Sequence, residues 1–228
     1  PHVRADHWGS GFGVMEGQLY ASRGYAVLVP NYRITPGLGG KIFTAGFGTV
    51  GRQMSEDHED ATQWAIDQGF ADPARICMSG ASYGGYATLR ALAKTPDLYK
   101  CGVAGLVVSD LELQLTSPNG DTAGHAAGVE FWHRLVGQDA SHPTALRDNS
   151  PVHQADKMKA PLFIYAGADD IRTPVEQANN MVKALKAAGH PPKEVVIKAE
   201  EGHGYGRAEN NVDLYERILK FLDEQIGA

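Results

Sequence analysis

RICMSGASYGGYATLRALAK, residues 75–94, changes within a few positions from an apolar run that stops at Gly80 to a helix-forming run that opens just after Ser82. Ser82 therefore stands on a strand-to-helix turn. A turn this sharp forces the serine into a strained conformation, and Gly80 and Gly84 leave the space that a β-carbon would otherwise fill. The hydroxyl is then exposed to a substrate. The backbone N–H of Tyr83 faces a developing oxyanion, and the helix N-terminus adds positive partial charge. The pattern G-x-S-x-G is weak alone in a chain with 27 glycines. The order strand, turn, helix around it is what marks a nucleophile.

Working outward, apolar runs of strand length recur at Tyr25–Pro30, Arg75–Ser79, Gly102–Ser109, Pro161–Ala166 and Glu194–Lys198. Segments of helical period separate them. Val175, Ala178, Val182, Leu185 and Ala188 repeat every three to four residues and stop at Gly189; Val212, Tyr215, Leu219, Leu222 and Ile226 do the same. A further helix is expected from about Gly51 to Gln68, packing through Met54, Ala61, Trp64 and Ala65. Strands alternating with helices predict a mostly parallel sheet with helices on both faces, a three-layer α/β design. Leu113 to Ala127 is the least regular stretch and is expected to form a mobile loop beside the site.

The 228 residues are enough for a substantial core, and no linker divides them, so one domain over residues 1–228 is expected. The net charge of −6 and the lack of a Lys/Arg cluster exclude a nucleic-acid footprint or an anionic membrane surface. Partners are expected to be small molecules or peptides, with oligomeric state left open. No apolar run approaches membrane-spanning length, which predicts a soluble protein. Cys77 and Cys101 read as buried small hydrophobes in neighbouring strands; a disulfide is open but not demanded. The compartment leans to a reducing, cytoplasmic one over a periplasmic or secreted one. The nine histidines lack ligand spacing, and His58 in SEDHED reads as a solvated helix face. No metal and no cofactor are expected.

In an α/β-hydrolase the acid and then the histidine follow the serine, each just past the end of a later strand. Asp169 and Asp170 follow PLFIYAG, and His203 follows EVVIKAEE within Gly202-His203-Gly204. His203 is the expected general base toward Ser82, and a carboxylate holds its tautomer. His190 lies before the last strand, at the wrong end. Chemistry alone leaves Asp169 and Asp170 open; the unused one is expected to cap the next helix or contact Arg172.

Several pieces together resemble the prolyl oligopeptidase family of serine peptidases, in its acylaminoacyl-peptidase and dipeptidyl-peptidase-like branch. They are ASRGYAVLVPNYR, GFADPARI, SYGGYATL, KTPDLYKCGVAG, SPVHQADKMKAPL, DIRTP and EEGHGY, spanning nearly the whole chain. The resemblance implies an α/β-hydrolase catalytic domain with Ser82 as nucleophile, Tyr83 supplying one oxyanion N–H, and His203 as base. Its D-x-R-x-P pattern implies Asp170 as the acid. It also implies a β-propeller upstream in the parent protein.

Two departures stand out. Relatives often read NYRGSTGYG where this chain has NYRITPGLGG, so the loop after Arg33 is expected to differ in shape. Pro1-His2-Val3-Arg4 looks like the tail of the family's H-G-G-P-H motif, whose glycines would complete the oxyanion hole. The expectation is an N-terminally incomplete catalytic domain, with a gap in the sheet between Tyr25–Pro30 and the nucleophile strand. Loss of one oxyanion donor typically costs about a hundred- to a thousandfold in turnover.

The function expected is hydrolysis of oligopeptides through an acyl-enzyme on Ser82. Two alternatives are a carboxylesterase acting on aryl or feruloyl esters with the same triad, and a non-catalytic module. Tyr86, Leu111, Phe131 and Trp132 are candidates to line an apolar pocket, against their ordinary reading as core.

Overall fold

The computed structural model describes residues 12–227. Strands β1 (Cys77–Ala81), β2 (Cys101–Gly105), β3 (Leu162–Gly167) and β4 (Glu194–Lys198) lie in chain order in one sheet, each parallel to its neighbour. Helices α1 (Phe12–Ser22), α2 (Gly40–Thr44) and α3 (Gln53–Asp67) precede β1. Helix α4 (Tyr83–Lys94) crosses from β1 to β2. Helices α5 (Leu111–Thr116), α6 (Ala126–Val136) and α7 (Ala145–Asp148), with a 3-10 turn at Pro151–Lys157, connect β2 to β3. Helix α8 (Glu176–Ala187) leads to β4, and α9 (Ala208–Ile226) follows it. Crossovers of this kind are what parallel neighbours require, since a tight hairpin would reverse the chain.

The alternation of side chains along β3 assigns the two faces. Leu162, Ile164 and Ala166 pack with Leu89 and Leu92 of α4 and with Met181 and Leu185 of α8. Phe163 and Tyr165 point the other way, into Tyr20 of α1 and Leu214, Ile218, Phe221 and Leu222 of α9. All of β2 and β3 is buried, which is why both read as unbroken apolar runs. A third cluster, with Ile34, Met54, Tyr83, Tyr86 and Leu111, packs α3, α4 and α5 together.

Several expectations need correction. Tyr25–Pro30 forms no strand; it does not pair with β1, as the expected gap between them requires, and the partner of β1 among the described residues is β2. An apolar segment becomes a strand only when its backbone finds a ladder partner. Here Val27, Leu28 and Val29 are 40%, 48% and 51% exposed, and Tyr25 instead bonds its hydroxyl to Asp223 of α9. Strand β2 stops at Gly105, four residues early, because Leu106 turns to a φ of 46°. Trp64 lies outside the core, 52% exposed against Phe70, and α9 buries Leu214 and Ile218 rather than Val212. Cys77 and Cys101 are register partners with Cα atoms 4.7 Å apart, close enough to bridge, and they form the disulfide that the sequence left open.

Among the described residues no helix is long and apolar enough to cross a membrane. Pro1 to Arg4, read above as the tail of a glycine motif, lie outside the described residues.

Candidate active site

Ser82 sits between the last residue of β1 and the first of α4, with φ 60° and ψ −119°. A left-handed φ at a non-glycine residue is strained, and neighbouring backbone has to hold it there. Its N–H donates to Gly105 O at 3.0 Å, and its carbonyl accepts the N–H of Tyr86 at 3.0 Å. Gly80 is required, because a Cβ there would stand 2.7 Å from the backbone of Gly84. Gly84 itself is not, since a Cβ on it would meet nothing within 4 Å. The glycine that the sequence reading missed is Gly85, where a Cβ would come 2.3 Å from Gly105 O.

The ends of β3 and β4 bring the other two groups to this turn. The hydroxyl of Ser82 and Nε2 of His203 are 2.9 Å apart, and Nδ1 of His203 lies 2.8 Å from Oδ2 of Asp170. A carboxylate only accepts, so Nδ1 is the protonated nitrogen and Nε2 is left to accept from the serine. Asp170, whose side chain is fully buried, has three further donors. Oδ1 accepts the backbone N–H groups of Arg172 at 2.8 Å and Thr173 at 2.9 Å, and Oδ2 accepts the Thr173 hydroxyl at 2.8 Å. Burial works to raise this carboxyl, but the bonds from His203 and Thr173 prevail and hold it below its ordinary value of 3.8. Asp169 is exposed and offers only its N–H, to Glu201 O at 2.9 Å; α8 begins without a side-chain cap.

A chain of rings runs through Tyr83, the residue after Ser82: His58 on Tyr32 at 4.6 Å, Tyr32 on Tyr83 at 5.6 Å, and Tyr83 on Tyr86 at 5.6 Å. His58 is thus packed rather than solvated, and burial lowers its pKa. Tyr86 and Leu111, each 1% exposed, belong to the core and offer a ligand almost no surface. Phe131 and Trp132 do line a hollow of about 220 Å³, with Asp121, Thr122, His125 and Gly128. That hollow adjoins the Asp170 loop, since the N–H of Asp121 donates to Ile171 O at 2.8 Å. The stretch expected to be irregular is α5 in its first part, capped by Asp110, and Gln114 ties it to Arg172 O at 2.7 Å.

Asp110, Glu112 and His153 gather ligand-type atoms within 4.8 Å of one another. Oδ1 of Asp110 already accepts two backbone N–H groups of α5, and the other two side chains are exposed.

The model of the prolyl oligopeptidase family matches residues 11–228. This chain belongs to the prolyl oligopeptidase family. Among its relatives, dipeptidyl aminopeptidase BIII of Pseudoxanthomonas mexicana is 37% identical over 215 residues, covering 92% of this chain and 30% of that protein. A puromycin-hydrolyzing peptidase of Mycobacterium tuberculosis superposes with a TM-score of 0.79 at 27% identity, over 86% of this chain and 29% of that one. An acylaminoacyl peptidase solved with Z-Gly-Gly-Phe-chloromethyl ketone gives 0.81 at 25%, over 99% and 36%. The fold is that of the α/β-hydrolase peptidases, and the chain spans about 30% of the length of the curated relatives it matches. Ile34 is a backbone outlier, with φ 79° and 1% exposure, in a conformation that glycine adopts freely.

Proposed function

We propose that this chain carries the catalytic apparatus of a serine peptidase of the prolyl oligopeptidase type. Ser82 is the nucleophile, His203 the base that takes its proton and returns it to the leaving amine, and Asp170 the acid that fixes the imidazole tautomer. The N–H of Tyr83, at the positive end of α4, is the oxyanion donor for the tetrahedral intermediate, which collapses to an acyl-enzyme that water then cleaves. The observation that carries this reading is the unbroken run of hydrogen bonds from Ser82 Oγ through both nitrogens of His203 to a buried Asp170. The three core clusters meet around one sheet, which supports a single catalytic domain.

Peptide substrates are supported by the relatives, whose names are those of dipeptidyl- and acylamino-acid-releasing enzymes. The hollow beside the acid loop, with Phe131 and Trp132 on its wall, has room for one substrate side chain, being smaller than the roughly 300–1,000 Å³ of pockets that hold whole ligands. The test is hydrolysis of free and N-acylated peptide anilides by the chain and by Ser82→Ala. Release of the anilide by the first and not the second is expected. Turnover of aryl esters with none of any peptide would move the reading to an esterase.

A further inference from the structure

We infer that Glu201 is the positioning residue for His203, locking the histidine loop to both the acid loop and the start of α9. The inference rests on the reading of Ser82, His203 and Asp170 as a relay.

His203 stands in a loop that carries glycines at 202, 204 and 206. Such a segment has a large conformational entropy to lose, so something must hold the imidazole at hydrogen-bond distance from two partners at once. Tyr205 supplies one anchor, its buried hydroxyl donating to Ala166 O at 3.0 Å. Glu201 supplies another, and it is 2% exposed. Oε2 accepts the N–H of Gly206 at 2.5 Å; Oε1 accepts the N–H of Arg207 at 3.2 Å and Nδ2 of Asn210 at 2.5 Å. The carboxylate before His203 is thereby tied to the backbone after it, closing a ring around the histidine.

The backbone of the same residue reaches the acid. Glu201 O accepts the N–H of Asp169, the residue next to Asp170, at 2.9 Å. The two loops press together closely enough that a Cβ on Gly167 would stand 2.3 Å from both Glu201 O and Gly202 O. One residue thus sets the spacing of the histidine and acid loops. Its negative charge meets the positive end of α9, while the guanidinium of Arg207 turns to Glu200. Hydrogen bonds from Asn210 and from the Gly206 and Arg207 N–H groups stabilise the charged form and lower its pKa.

A glutamine here keeps the shape but turns one acceptor into a donor aimed at N–H groups. The test compares Glu201→Gln and Asn210→Ala with the unaltered chain, measuring kcat and KM on a peptide anilide together with the downfield proton NMR signal of the His203 Nδ1–H. Glu201→Gln is expected to lower kcat by about 10- to 100-fold, the cost of a misplacement of order 1 Å or less, with KM within about threefold and the Nδ1–H signal shifted or lost. Asn210→Ala is expected to lower kcat severalfold. Glu201→Gln with unaltered kcat and an unaltered Nδ1–H signal overturns the inference. If Glu201→Gln fails to fold, an Asn210→Ala chain with unaltered kcat and signal overturns it instead. An unaltered chain that cleaves nothing contradicts the relay reading rather than this one, and the NMR signal still reports whether Glu201 holds the imidazole.

Discussion

The carbonyl oxygen of Gly105 accepts the N–H of Ser82 at 3.0 Å and at the same time walls off Gly85, on which a Cβ would stand 2.3 Å away. The end of β2 therefore fixes both the strained serine and the distance at which α4 packs. Gly85→Ala must push α4 off β2 or break the bond to Ser82. Overpacking of this kind costs about 1–3 kcal/mol, and it is expected to lower activity as well as the urea midpoint. Gly84→Ala, at an open position, is expected to change neither by much, so the pair measured side by side checks the account.

Acid sensitivity follows from Asp170. Its carboxyl is held below 3.8, and a depressed native pKa contributes stability that is present above the unfolded value and is lost as pH falls through the native one. Glu201 is lowered from 4.5 and acts in the same direction. Stability is therefore expected to hold on acidification to about pH 4 and to decline below it. Urea midpoints taken between about pH 6 and pH 2 check this, and Asp170→Asn should flatten the lower part of the curve. The same variant is expected to cost about a thousand- to ten-thousandfold in kcat, since an amide can stabilise the wrong imidazole tautomer.

Ile34→Gly sets two effects against each other. Relieving a left-handed φ gains about 1–3 kcal/mol. Emptying a site only 1% exposed costs about 2–5 kcal/mol, and the added glycine costs about 0.5–1 kcal/mol more in chain entropy. Burial is the larger effect, so a loss of stability of about 2 kcal/mol is expected by chemical denaturation. A gain would mean that the strain at Ile34 exceeds what its packing returns.

Much of this site was legible because its chemistry is local. Ser82 and His203 each stand just past a strand end, and strand ends show in runs such as PLFIYAG and EVVIK; Asp169 and Asp170 both satisfy that rule, and only the D-x-R-x-P resemblance separated them. Long-range features were less legible. Nothing around Gly85 announces Gly105, twenty residues on, and the partners of the buried Glu201 lie on the far side of the histidine. Tyr25–Pro30 misled for the converse reason: its apolar character is that of a strand, but pairing depends on a neighbour that local sequence cannot supply. Tyr86 and Leu111 are apolar residues near the Ser82 turn, and whether such residues line a pocket or fill the core is decided by the elements packed over them.

The disulfide gives a separate check on the frame that holds Ser82. Cys77 and Cys101 are 24 residues apart and join β1, the strand before Ser82, to β2. Closing a loop of that size stabilises by about 3 kcal/mol through the unfolded chain. Urea unfolding with and without a thiol reductant is expected to show a loss of that order. The Cys77→Ser/Cys101→Ser double variant should then become insensitive to reductant.

Whether Ser82 is an activated nucleophile is decided by incubation with a fluorophosphonate followed by intact mass and peptide mapping. One adduct per chain is expected, on Ser82, absent from Ser82→Ala and strongly slowed in His203→Ala. An unmodified chain, or an adduct on another residue that persists in Ser82→Ala, would contradict it.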